Sequence, residues 1–266
     1  MIGAGPGGRI GPGGFPGAGG NGGGWSWLVA DEAPAAGAAA PRVRPAEGAA
    51  ARLGRPVAVV VDYGAGNLPS IVRALDVAGA DVRVAASAAQ LGRPDLVVLP
   101  GVGAQGPAMR RLGRSGLARA IDRAVGGGAW YLGICLGLQL LFERSDEDGS
   151  RGLGWLAGES RLLPSAPVLP HVGWNAVEPV APHRLLDGLP AGAPMYFVHS
   201  YAPVPTDRAA VLAETEHGGR FASAVGAGRL LGVQFHPEKS GRDGLRVLSN
   251  VLAMVGEAAA VASPEA

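Results

Sequence analysis

The sequence predicts an α/β protein built on a mostly parallel sheet with helices on both faces, carrying an antiparallel or mixed strand extension toward its C-terminus. Three observations predict this. Between Pro56 and Ile134, short apolar runs alternate with segments of helical spacing. The apolar runs, VAVVV and LVVL among them, are continuous, as strands buried on both faces must be. After about Arg151 the spacing shortens to strand upon strand with turns between.

Taken in order, residues 1–54 stand apart from the rest. They hold 16 Gly, 13 Ala and 6 Pro, 35 of 54 residues. Such a segment buries too little apolar surface to offset chain entropy, so the expectation is disorder. Its glycine runs, GAGPGG and GAGGNGGG, have no strand before them and no helix after. An assigned start codon upstream of the true one would also produce this segment.

From Pro56 the texture changes. PVAVVVDYGAGN reads as a buried strand ending in a turn. LPSIVRALDVAGA has helical spacing, with Asn67 at the N-cap, Pro69 in the first turn and Gly79 as the stop. DVRVAAS and PDLVVLPGVGA are the next strands, the latter again closing on glycines. GPAMRRLGRSGLARAIDRAVGGG is helical in its later part, and AWYLGI is a fourth strand. The run from Leu136 to about Arg144 reads as a helix. GWLAGESRLLP, HVGWNAVEPV, PMYFVHSYAPV, VLAETEHGG and FASAVGAGRLLGVQFHPE read as strands, and GRDGLRVLSNVLAMV as a closing amphipathic helix. One domain over 55–258, followed by a disordered tail over 259–266, is the expected organisation.

Composition narrows the function. Lys plus Arg is 23 and Asp plus Glu is 22, whereas a nucleic-acid surface wants a basic excess. One cysteine forms neither an internal disulfide nor a multi-cysteine zinc site, and a reducing compartment is the simplest reading. No apolar run approaches the roughly 20 residues of a membrane span, and no charged start with an apolar core suggests a secretory signal.

That one cysteine, Cys135, sits in GICLG. The pattern has the form of the nucleophile elbow G-x-S-x-G with sulfur in place of oxygen. A strand-to-helix corner projects the side chain, and Gly133 and Gly137 leave room for the bend. The helix N-terminus favours thiolate, and the Leu136 N–H faces the place where an oxyanion would form. A buried core cysteine is the competing reading. The elbow needs a base. His236 ends the apolar run LLGVQF, and Glu238 follows two residues on. Residues i and i+2 share a side in extended chain, or a local bend at Pro237 lets the carboxylate brace the imidazole. Gly101, Val102 and Gly103, in the PGVG turn, offer further backbone donors to an oxyanion. GAGN, Gly64 to Asn67, is a similar turn. Phosphate-loop and dinucleotide motifs are absent.

DYGAGN, LPGVGA, GICLGLQLLFE, PHVGWN, YFVHSY and GVQFHPEKSG occur in this order, with His236 101 residues after Cys135. Together they resemble the class I glutamine amidotransferases, and more closely the glutaminase subunits of imidazole glycerol phosphate synthase. The likeness covers about Pro56 to Ala258. It implies a flavodoxin-like amidotransferase fold. Cys135 would attack the glutamine amide, His236 would move the protons and Glu238 would orient His236. Leu136, Gly101, Val102 and Gly103 would hold the oxyanion. Gln139, Glu147, Ser200 and Tyr201 would bind the substrate. Pro170, His171, Gly173, Trp174, Asn175 and Lys239 would meet a partner, a (β/α)8-barrel cyclase. The partner would take the ammonia and form imidazole glycerol phosphate and AICAR for L-histidine biosynthesis. The resemblance implies a cytoplasmic heterodimer with no cofactor, no metal, no nucleic acid and no membrane. The 54-residue leading segment has no counterpart in it. A glutaminase of another synthase, such as that for pyridoxal phosphate, lacks a reason for PHVGWN. A cysteine peptidase or hydratase on a similar elbow lacks one for FHPEKSG. A silent interaction module lacks one for an intact Cys135, His236 and Glu238.

Overall fold

A computed structural model describes residues 54–163 and 165–262. The expectations for the leading segment and for residues 263–266 fall outside the described residues, Gly54 apart.

The first half is built of strands β1 (Val57–Val61), β2 (Asp81–Ala85), β3 (Leu96–Gly101) and β4 (Trp130–Cys135). All pair in parallel, β1 with β2 and β3, and β3 with β4. Helices α1 (Leu68–Ala78), α2 (Ala88–Leu91), α3 (Gln105–Arg114) and α4 (Leu117–Gly126) connect them. Neighbouring residues of one strand serve opposite faces. Ala58 and Val60 pack with Ile71 and Leu75 of α1, while Val59 and Val61 pack with Leu112 and Ile121 of α3 and α4. This two-sided burial is why the runs are continuously apolar.

Helix α1 begins after Asn67 and stops at Gly79, whose φ of 112° is open to glycine but strained for other residues. Asn67 occupies the N-cap position without capping a backbone N–H, its amide donating instead to Ser70 Oγ at 2.9 Å. The segment expected to be helical only later is helical throughout, broken at Gly116 with φ 72°. The short α2 was not anticipated.

The helix expected from Leu136 to about Arg144 is a single turn, α5 (Leu136–Gln139). Its continuation is β5 (Phe142–Ser145). The physical reason lies in the returning chain. Leu153 N donates to Leu140 O at 2.7 Å, Trp155 N to Leu141 O at 2.9 Å and Gly154 N to Phe142 O at 3.2 Å. These donors take the carbonyls that helix propagation would have used.

The second half supplies β6 (Leu156–Leu162), β7 (His171–Pro179), β8 (Ala193–His199), β9 (Tyr201–Pro205), β10 (Val211–Glu216), β11 (Arg220–Ala227) and β12 (Leu230–Val233). The main sheet has nine strands in the order β2-β1-β3-β4-β12-β11-β10-β7-β8. Strand β12 is parallel to β4, and the pairs beyond it are antiparallel, giving the expected mixed extension. A second sheet of three strands, β5-β6-β9, was not anticipated. The run PMYFVHSYAPV divides between the two sheets, with Ser200 at the junction.

Helix α6 (Gly241–Ala262) closes the described chain and packs Val247, Leu248 and Val251 into the α1 side of the core. It passes the boundary expected at 258, so residues 259–262 are helical where a tail was expected.

Candidate active site

Strand β4 ends at Cys135, where the backbone takes φ 55° and ψ −110°. Among the described residues no other non-glycine has positive φ. Such a corner stores strain of roughly 1–3 kcal/mol and turns the side chain out of the sheet line. Both flanking glycines are dictated by close backbone. A Cβ on Gly133 would lie 2.6 Å from the Leu138 nitrogen, and one on Gly137 would lie 2.8 Å from the Leu99 carbonyl carbon. The Tyr131 hydroxyl donates to Gly137 O at 2.8 Å and pins the turn from below.

Because α5 is one turn long, the expected long-helix field at the sulfur is reduced to local N–H groups. Gly101 is the β3 residue in register with Cys135, which brings the PGVG turn beside the elbow. Val102 is exposed and Gly103 has φ 82°, while Leu136 is buried.

His236 follows β12, the parallel neighbour of β4. Its Nδ1 lies 2.9 Å from Glu238 Oε1, whose side chain is 1% exposed. The bend alternative holds: Pro237–Lys239 form a single 3-10 turn that brings the carboxylate back to the ring. His236 N donates to Tyr196 O at 2.9 Å, and Ser240 Oγ donates to His236 O at 2.6 Å, fixing the ring's base to β8. Burial alone would lower the imidazole pKa. Cys135 and Glu238 outweigh it and push the value up to about 10. The remaining nitrogen, Nε2, is buried and is left to exchange a proton with the sulfur, since Nδ1 is committed to Glu238.

Gln139 comes to the same place. Its Nε2 donates to Tyr201 O at 2.8 Å and to Gln234 Oε1 at 3.1 Å. Glu147 sits in the loop after β5, close enough to Tyr201 to raise that phenol's pKa further after burial has raised it. Its own carboxyl is pushed up, first by burial and then by Asp148. Ser200 and Tyr201 mark the junction between the two sheets.

Three residues at the site were not read from the sequence. Gln234 is fully buried and its Nε2 lies 3.5 Å from Cys135 Sγ. Tyr63 packs its buried, unpartnered hydroxyl against Gly101, where a Cβ would not fit. Burial first, and Cys135 second, hold that phenol protonated. His199 bonds to Tyr201 O through Nδ1 at 3.0 Å. Its partner His171 corrects an expectation. His171 is 4% exposed, stacked between Phe197 and His217, and belongs to the interior and not to the partner surface. Strand β7 alternates, so Trp174, 58% exposed, points outward while His171 points in. Pro170 and Lys239 are exposed, with Lys239 over the Tyr196 ring at 5.3 Å; Gly173 and Asn175 are half-buried.

A surface groove of about 830 Å³ lies between β5, β6 and β9 and is not lined by Cys135. Its Arg144 and Arg161 are already paired with Glu159. Among the described residues no cluster of three His, Cys, Asp or Glu is arranged for a metal, and no helix is long and apolar enough to cross a membrane.

A strained cysteine corner facing an imidazole–carboxylate pair across two parallel strands is the arrangement of a thiol amidohydrolase. Residues 59–254 match the family described as Glutamine amidotransferase class-I, and the chain belongs to that family. Solved structures with TM-scores of 0.59 and 0.61 share the fold at 20% and 21% identity. One is a glutamine amidotransferase and the other PurLQS from Thermotoga maritima; the matches cover 74% and 76% of this chain and 98% and 99% of theirs. Curated relatives narrow the family to the HisH subunits of imidazole glycerol phosphate synthase. The subunit from Symbiobacterium thermophilum is 48% identical over 193 residues, 72% of this chain and 91% of the relative. That from Aquifex aeolicus is 46% identical over 200 residues, 72% and 94% respectively.

Proposed function

We propose that this chain is the glutamine-hydrolysing subunit of imidazole glycerol phosphate synthase and that Cys135, His236 and Glu238 are its catalytic triad. The 2.9 Å His236–Glu238 pair opposite the Cys135 corner is the observation that carries the reading. Cys135 Sγ attacks the side-chain amide carbon of glutamine and gives its proton to His236. The Leu136 N–H and the Gly101–Gly103 turn hold the oxyanion. As the C–N bond breaks, His236 returns the proton to nitrogen and ammonia leaves. The γ-glutamyl thioester is then attacked by water, whose proton His236 takes, and glutamate departs with Cys135 restored. Glu238 fixes the tautomer and steadies the imidazolium.

Gln139, Glu147 and the Ser200–Tyr201 backbone receive the substrate. Both hydrogens of Gln139 Nε2 are committed, so only its Oε1 is free to meet substrate. An acceptor there pairs with glutamine's N–H groups and opposes a glutamate carboxylate. Glu147 meets the α-ammonium.

Ammonia passes to the cyclase subunit, a (β/α)8 barrel, which forms imidazole glycerol phosphate and AICAR in L-histidine biosynthesis. Trp174, Pro170, Gly173 and Lys239, with the half-buried Asn175, make the meeting surface. A single free cysteine supports a reducing compartment, the cytoplasm.

Glutamine hydrolysis by the chain, alone and with the cyclase subunit and its nucleotide ligand, tests the assignment. The rate is expected to be low alone and to rise by orders of magnitude in the complex. Cys135→Ala is expected to abolish hydrolysis while ammonia-dependent synthesis by the complex continues. High activity indifferent to the cyclase, or loss of both activities in a folded mutant complex, would contradict it.

A further inference from the structure

The polar groups between strand β7 and the sulfur form two donor series that meet at one carbonyl, Tyr201 O, which fixes the direction of each. A carbonyl cannot donate, so Tyr201 O must receive N–H groups from both Gln139 Nε2, at 2.8 Å, and His199 Nδ1, at 3.0 Å. Gln139 therefore turns its NH2 toward this carbonyl, and the same nitrogen's second hydrogen reaches Gln234 Oε1 at 3.1 Å. Gln234 is left with its NH2 facing Cys135 Sγ at 3.5 Å. Gln139 is 6% exposed and Gln234 0%, so water does not offer an alternative partner. The orientation of both amides therefore follows from the carbonyl.

The histidines form a second donor series that ends on the same carbonyl. With Nδ1 donating, neutral His199 offers Nε2 as an acceptor, and His171 Nδ1 lies 3.2 Å from it. His171 Nε2 then accepts from Asn175 Nδ2 at 3.2 Å, and the same amide nitrogen donates to Glu216 O at 2.8 Å. Burial, first, keeps both rings neutral.

We infer that Gln234 is a catalytic residue: its Nε2–H donates to the Cys135 sulfur and favours thiolate over thiol, with Gln139 as the positioning residue that holds the amide in that orientation. A thiolate is the stronger acceptor, so a fixed donor stabilises it preferentially. The single-turn α5 leaves this side-chain donor with a larger share of that work. The inference rests on Cys135 being the nucleophile.

The test is the pH profile of iodoacetamide alkylation of the full chain, whose one thiol is the only one labelled. In Gln234→Met, of similar volume, the alkylation profile moves to higher pH, slowing labelling on its rising limb roughly tenfold. Gln139→Met, which leaves Gln234 in place but unanchored, shifts it by less in the same direction. The other ionisable groups facing the sulfur are His236, with Glu238 behind it, and Tyr63; both variants leave them in place. An unmoved midpoint in folded Gln234→Met overturns the proposal. In the unsubstituted chain, the Gln234 side-chain 15N resonance moves at the alkylation midpoint, and a resonance that stays still overturns it whether or not the variants fold. Failure of the nucleophile reading would look different, as glutamine hydrolysis surviving in Cys135→Ala.

Discussion

Replacing Gly137 by alanine puts one methyl group where α5 crosses β3. The new Cβ would sit 2.8 Å from the Leu99 carbonyl carbon, with the carbonyl oxygen closer still. Ordinary carbon contacts lie near 3.5–4.0 Å, so the two backbones must part by at least about 0.7 Å. Leu99 is fully buried and in register with Gly133 of β4, so β3 has little room to yield. The alternative is for α5 to lift, carrying the Leu136 N–H and the Cys135 corner with it. Overpacking of this kind costs ~1–3 kcal/mol where side chains can adjust, and backbone against backbone lies at the top of that range or above. A displacement near 1 Å at the reacting atoms costs roughly 10²-fold in rate. Urea unfolding and glutamine hydrolysis in the complex measure the two effects. Gly113→Ala is the control: that glycine lies in α3, exposed, with open space at its Cβ, and the change should add ~0.5–1 kcal/mol of stability. Wild-type stability and rate in Gly137→Ala, or an equal loss in Gly113→Ala, would refute the close-approach argument.

Two further outcomes follow from burial and exposure. His199 stays neutral until about pH 3, whereas the unfolded chain's histidine takes a proton below its ordinary 6.5. Stability from this group is therefore complete above pH 6.5 and lost as pH falls, by ~2 kcal/mol at pH 5. The difference between wild type and His199→Leu isolates it from His236, whose raised pKa acts in the opposite sense; parallel pH profiles would refute it. Trp174→Ala removes a 58% exposed ring from the β7 face. It should weaken cyclase binding about 30-fold or more by calorimetry, with free-chain stability within about 0.5 kcal/mol of wild type. Unchanged affinity would remove Trp174 from the interface.

The sequence exposed what is local. Continuous apolar runs marked the strands because both sheet faces are covered, and G-x-C-x-G marked the corner because Gly133 and Gly137 meet backbone on both sides. His236 and Glu238 were legible as a pair because one turn of chain joins them. What stayed hidden depends on distant partners. LLFERS has helical spacing, and it becomes β5 because residues 153–156 return to claim its neighbouring carbonyls. Gln234 meets Cys135 across 99 residues, and His171 meets His199 only through the β7–β8 register. The inward turn of His171 was nevertheless written in the period-two alternation of HVGWN, beside an outward Trp174.

The positive φ at Cys135 also bears on how this protein would respond to selection. Glycine would relieve the corner, while leaving the buried Gln234 amide without its sulfur acceptor. A directed-evolution campaign that rewards heat tolerance alone weighs only those two terms at Cys135→Gly and gives no credit to the proposed nucleophile. Thermostable descendants of this chain need a screen that scores turnover alongside melting temperature, because at this one residue the two pull apart.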